Sequence, residues 1–158
     1  MAQQEFVIRL DCTLDRLWER LRDPEVARER AASDSSGGTS TRRHEVIGDR
    51  VHVAYESTLP ENWLPGAARR RMGRLPRVVR CEEWSRDDSA VTGVMQVDVV
   101  GIDAQVEGSM RCESEGRGCV VRQHVVVVVP LPILGRIIEA AILHRIGQAA
   151  AQEMRCLE

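Results

Sequence analysis

"HVVVVVPLPILGRIIEAAILHRIGQAAAQEM", residues 124–154, is the most apolar part of the chain, and the way it divides decides the fold. Read as one rod, it comes close to the roughly 20 apolar residues that a membrane-spanning helix needs. Pro130 and Pro132 stand where such a helix would have to pass, and the uncharged run from Val125 ends at Gly135, with Arg136, Glu139 and Arg145 beyond it. Five successive valines crowd a helical turn through their branched Cβ atoms but fit a pleated strand. The stretch therefore splits into a last strand, expected to be buried on both faces at its end, a proline corner, and a helix over residues 133–154 folding back across the sheet. Along that helix Leu134, Ile138, Ala141 or Ile142, Ile146, Ala149 or Ala150, and Met154 recur at the spacing that coats one side. Arg136, Glu139 and Arg145 are expected to face water.

Upstream, "EFVIRLDC" puts Phe6, Ile8 and Leu10 on one face and Val7 and Arg9 on the other, the period of a half-buried strand. The period then becomes helical in "LDRLWERLRDPEVARERAA", with Thr13 or Asp11 as cap and Pro24 as the interruption, which gives one helix or a broken pair. After the short loop "SDSSGG", a hairpin is predicted around Gly48-Asp49, with Val51, Val53 and Tyr55 on one face of its second strand. Residues 59–76, with prolines at 60, 65 and 76, break the alternation and read as a short helix or structured loop. Strand patterns return in "RVVRCEEWSR", "SAVTGVMQVDVV" and "AQVEGSMRCES", and the chain comes back across Gly116 as "GCVVRQHVVVVV".

The 158 residues fit one domain, 1–158, able to bury roughly 68–70% of the surface of its unfolded form. Apolar content of 43% beside 29% charged residues is that of an ordinary globular chain, and 24 acidic against 22 basic residues give no global field for nucleic acid. The N-terminus alternates polar and apolar residues and lacks the form of a secretory signal, so the expected location is the cytoplasm. Five cysteines without a CxxC argue for reduced, mostly buried thiols rather than a disulfide framework. The exception is Cys112 and Cys119, which would oppose each other if Glu115-Gly116 formed a two-residue hairpin loop.

The order is thus α+β: a strand, a helix pair, six more antiparallel strands and one long C-terminal helix. On the opening "EFVIRLDCTLDRLWERLRDPE", the strand "VVRCEEW" and the ending "VVVVVPLPILGRIIEAAILHRI", the chain resembles the START-like, polyketide-cyclase (SRPBCC) superfamily, in a bacterial branch. The resemblance implies a helix-grip fold, a curved antiparallel sheet of about seven strands wrapped around the C-terminal helix, with short helices after the first strand. It also implies a cavity between sheet and helix for a lipid, polyketide or similar apolar molecule.

The candidate lining is Tyr55, Trp84, Met95, Val97, Met110 and His124 from the sheet, facing Ile138, Ile142 and Ile146 of the helix. A filled core serving a partner-binding module is the plain alternative. "VVRQHVVV" turns either Arg122 and His124 or Gln123 inward, and a one-residue slip reverses the choice; a sheet buried on one face favours polar residues outward. Were they inward, His124 could move protons and Arg122 polarise a carbonyl, with Tyr55 orienting, as in a cyclase or dehydratase. His144 and Glu139 on the last helix are five residues apart and share a face poorly. No HExxH, G-x-S-x-G, GxGxxG or Walker pattern is present, so no metal or cofactor is expected. Arg69, Arg70, Arg71, Arg74, Arg77 and Arg80 cluster between Trp63 and Trp84; acidic residues close behind favour a solvated face over nucleic acid, with an anionic surface or a protein as the partner it could contact.

Overall fold

Strands that alternate buried and exposed residues over nine to eleven positions pair into one antiparallel sheet. The computed structural model describes residues 1–34, 38–60, 62, 66, 69–70, 73 and 76–158. In chain order these form β1 (Ala2–Leu10), α1 (Leu14–Arg22), α2 (Pro24–Ala32), β2 (Thr39–Ile47), β3 (Arg50–Thr58), β4 (Arg77–Arg86), β5 (Ala90–Val100), β6 (Gln105–Glu115), β7 (Gly118–Val128) and α3 (Leu134–Arg155). The seven-stranded order is β1-β7-β6-β5-β4-β3-β2, so the first and last strands of the chain lie side by side. This is the helix-grip architecture, with α3 across the inner face against β1 and β7 and its C-terminal part against α2. The region 59–76 lies largely outside the described residues, and so do Trp63, Arg71 and Arg74.

Local chemistry sets the helix boundaries. Thr13 Oγ1 accepts from Arg16 N–H at 3.2 Å to open α1, and Asp23 accepts from Glu25 N–H at 2.9 Å to open α2, whose first residue is Pro24. The helical segment is therefore a pair, broken at Asp23-Pro24. Ile47 pairs with Arg50 across Gly48-Asp49, where Gly48 takes φ +60°.

The last strand is buried on one face only: Val125, Val127 and Val129 are inward, while Val126 and Val128 stay half-exposed. That corrects the expectation of burial on both faces. The β6–β7 turn holds Gly116-Arg117 rather than Glu115-Gly116, so Cys119 pairs with Ser114 and Cys112 with Val121. Cys119 instead meets Cys12, with Sγ atoms 3.9 Å apart, and all five cysteines are free. Glu139 does not face water. Its buried carboxylate accepts from Val129 N–H at 3.0 Å and pairs with the Met1 amine at 3.1 Å, satisfying backbone at the proline corner. Arg145 is half-buried and pairs with Asp34 at 3.0 Å.

Candidate functional site

Strand register places the inner-face residues in rows. One row runs Phe6–Gln123–Met110–Gly93–Trp84–Val51; the next runs Gln4–Val125–Gly108–Met95–Glu82–Val53; a third runs Ala2–Val127–Val106–Val97–Arg80–Tyr55. Tyr55, Trp84, Met95, Val97 and Met110 are thus brought together, beneath Ile138 and Ile142 of α3, and none of the seven is more than 6% exposed. Ile146 is half-buried at the edge of this cluster. The space is closed by side chains.

His124 and Arg122 are not part of it. Both are exposed on the outer face, His124 across from Glu5 and Ser109, and Arg122 3.7 Å from the Glu5 carboxylate. With Val121 and Val125 fully buried on the opposite parity, the row between them must turn Gln123 inward. Tyr55 therefore never meets His124 or Arg122, and the acid/base set expected for a cyclase does not assemble.

At the centre of the sheet two methionines lie over two glycines. Met110 faces Gly93 and Met95 faces Gly108; the Met110 and Met95 methyl carbons lie 2.9 and 2.8 Å from the points where the respective glycine Cβ atoms would stand. An unbranched thioether with three rotatable bonds fills such gaps and can leave them. Gln123 sits beside this pair. Its Nε2 donates to Met95 Sδ at 3.9 Å, and its buried Oε1 has no partner among the described residues.

Toward β3 and β4 the interior is ionic. Arg30 of α2 holds Glu82 through two bonds, at 3.1 and 3.0 Å; Arg80 Nε lies 3.1 Å from Glu82 and its Nη2 2.7 Å from Glu153 of α3; Trp84 Nε1 donates to Glu82 at 2.8 Å. Two cations face two anions. The Arg30 and Arg80 guanidinia lie 5.3 and 4.6 Å from the Tyr55 ring centroid. Burial alone would push the Glu82 carboxyl up, but Arg30, Arg80 and the hydrogen bonds from Arg30 and Trp84 more than reverse this, holding it at about 2. Burial pushes the Tyr55 hydroxyl up to about 12, and that hydroxyl has no hydrogen-bond partner among the described residues. Arg80, read from the sequence as part of a solvated patch, is mostly buried, whereas Arg77 is exposed and pairs with Glu56, and Arg69 and Arg70 are exposed.

Outside the core, a groove of about 760 Å³ separates β1 from α3. Ala2, Phe6, Ala140 and Leu143 line it with Gln4, Arg136 and His144. Phe6 lies so near α3 that a Cβ on Gly147 would stand 2.6 Å from its ring, and Phe6 is also the row neighbour of Gln123. Among the described residues no helix is long and apolar enough to cross a membrane, and no group of three or more His, Cys, Asp or Glu could hold a metal ion.

A curved sheet gripping a long helix over an apolar interior defines the helix-grip class. Within it, residues 5–158 match the family described as "Protein of unknown function (DUF2505)", and the chain belongs to that family. No curated protein matches it. Solved structures share the fold at low identity. The TTHA0849 protein of Thermus thermophilus is 16% identical, with a TM-score of 0.61 over 99% of this chain and 94% of its own. A conserved protein of Geobacillus kaustophilus is 12% identical, with a TM-score of 0.60 over 99% and 95%. Norcoclaurine synthase of Thalictrum flavum, in complex with dopamine and hydroxybenzaldehyde, is 13% identical, with a TM-score of 0.59 over 99% and 85%.

Proposed function

We propose that the protein binds a hydrophobic small molecule between the inner face of the sheet and α3. The observation that carries this reading is the pair of methionines over glycines. Branched side chains would fix the interior as a solid core, whereas Met95 fills the space that Gly108 leaves open, Met110 shares the space over Gly93 with the Trp84 ring, and both thioethers can yield room to a ligand. Ile138 and Ile142 form the roof, and Trp84 and Val97 continue the apolar floor. The groove beside Phe6 is the way in, leading along the row to Gln123 and Met110. Supporting the reading by fold, norcoclaurine synthase is a chain of this architecture in complex with two small aromatic molecules.

The test is a titration with naphthalene, followed by NMR of ¹³C-labelled methionine methyls. Saturable binding that shifts the Met95 and Met110 methyls is expected, and native mass spectrometry of protein purified from its own host should reveal a co-purified small molecule. Shifts confined to Met1, which lines the outer groove, or no saturable binding, overturn the reading.

A further inference from the structure

We propose that Gln123 recognises the ligand's polar group, and that the ligand is an apolar molecule carrying one uncharged hydrogen-bonding group, a hydroxyl or an amide. This rests on the binding reading above. Gln123 is 4% exposed on a face where Val121, Val125 and Val127 are its neighbours along the strand, so a fourth valine would be the simple choice for a core. An amide there must find partners or cost stability. It has two donors and an acceptor, yet among the described residues Nε2 reaches only a thioether sulfur, a weak acceptor, and Oε1 has nothing.

Position makes this unmet bonding capacity useful. Gln123 is the register partner of Met110 and the hydrogen-bond donor to Met95, the two side chains that must move to open space. Displacing Met95 frees the Gln123 nitrogen at the moment the ligand arrives. A ligand hydroxyl accepts from Nε2 or donates to Oε1, and a ligand amide does both.

Charge is excluded by the neighbouring ions. Arg30 and Arg80 are matched in charge by Glu82 and Glu153 in one buried group, which leaves no net charge there for a carboxylate or an amine, although the Arg30 and Arg80 Nε atoms make no hydrogen bond among the described residues. A charged ligand would be stripped of water without a counter-ion.

Three probes with one skeleton test this at neutral pH: naphthalene, 2-naphthol and 2-naphthoate, titrated by fluorescence into the wild type and Gln123→Leu. The preference for 2-naphthol over naphthalene should fall about tenfold in Gln123→Leu, with naphthalene binding retained. A preference unchanged by the substitution overturns the proposal but leaves the binding reading standing, as does tighter binding of 2-naphthoate than of 2-naphthol. Binding of none of the three to the wild type overturns both. If Gln123→Leu fails to fold, Gln123→Met removes the amide with an unbranched side chain, and the same ratio decides.

Discussion

Replacing Glu82 by glutamine keeps its shape and removes its charge, isolating what the buried ions contribute. In the native chain the carboxylate accepts two bonds from Arg30 and one from Trp84 and lies 3.1 Å from Arg80 Nε. Its pKa is held at about 2 against an ordinary 4.5. At about 1.4 kcal/mol per tenfold, that gap amounts to about 3 kcal/mol of folding free energy at neutral pH. Breaking a buried pair on one side costs a similar amount, about 3–5 kcal/mol, because Arg30 and Arg80 are left to share the single charge of Glu153. For a chain of this size about 3 kcal/mol corresponds to a fall in Tm of roughly 6–12 °C. The sign follows from a depressed carboxylate. The stabilisation is complete above pH 4.5 and disappears as pH falls from 4.5 through 2, where the folded form also takes up the proton. Circular-dichroism melts from pH 7 to pH 2 should therefore show wild type and Glu82→Gln converging below pH 4.5. Arg30→Met combined with Glu82→Gln should recover most of the loss, since it removes both charges, keeps an acceptor for Trp84 Nε1 and leaves Arg80 bonded to Glu153 at 2.7 Å. A gap under about 1 kcal/mol at pH 7, or one constant down to pH 2, refutes the assignment of this energy to the ion group.

Other sites give sharper contrasts. Gly93→Ala places a Cβ 2.8 Å from the Trp84 ring, which is fully buried and tethered to Glu82, so urea denaturation should show a loss of about 2 kcal/mol or more. Gly108→Ala should cost less, because its nearest contact is the flexible Met95 methyl. Gln123→Leu should raise stability by about 1 kcal/mol in the same assay, as it removes a half-paired buried amide. His124→Ala should change stability by under about 0.5 kcal/mol and leave naphthalene binding intact, since the side chain is exposed on the outer face.

The fold was legible because periodicity carries it. The valine run, Pro130 and Pro132, and the apolar spacing after Leu134 separate β7 from α3 without tertiary information, and the parity of Val51, Val53 and Tyr55 or of Met95, Val97 and Val99 names the inner face. Hydropathy could not choose between Gln123 and its neighbours, because Arg122, Gln123 and His124 are all polar. The deciding signal was the parity of Val121 and Val125 on either side. The cysteine register failed by a single residue of turn placement, which hairpin chemistry around Glu115-Gly116-Arg117 leaves open. The ion group was missed for another reason. Arg80, Glu82 and Trp84 share one parity within "RVVRCEEW", a visible sign of charge on a buried face, but their partners Arg30 and Glu153 lie 52 and 73 residues away from Glu82 and Arg80, respectively. A run of arginines read along the chain looks solvated until distant carboxylates are brought beside one of its members.

These two kinds of interior divide the molecule's work. Across β3, β4, α2 and the end of α3 two cations are matched by two anions, although the Arg30 and Arg80 Nε atoms make no hydrogen bond among the described residues; removing one charge leaves the group unbalanced. Across β5, β6, β7 and β1 the filling includes, among buried valines, two thioethers over two glycines and an amide without a full set of partners, and unbranched thioethers can change rotamer where valines cannot. On the proposed binding reading, a fold that keeps its shape while accepting a guest needs both. If the ionic end alone set stability and the methionine end alone set binding, Glu82→Gln should lower Tm without changing naphthalene affinity in the folded range. Replacing Met95 by leucine should do the reverse: a branched side chain of similar volume costs under about 1.5 kcal/mol yet cannot vacate the space over Gly108 as freely.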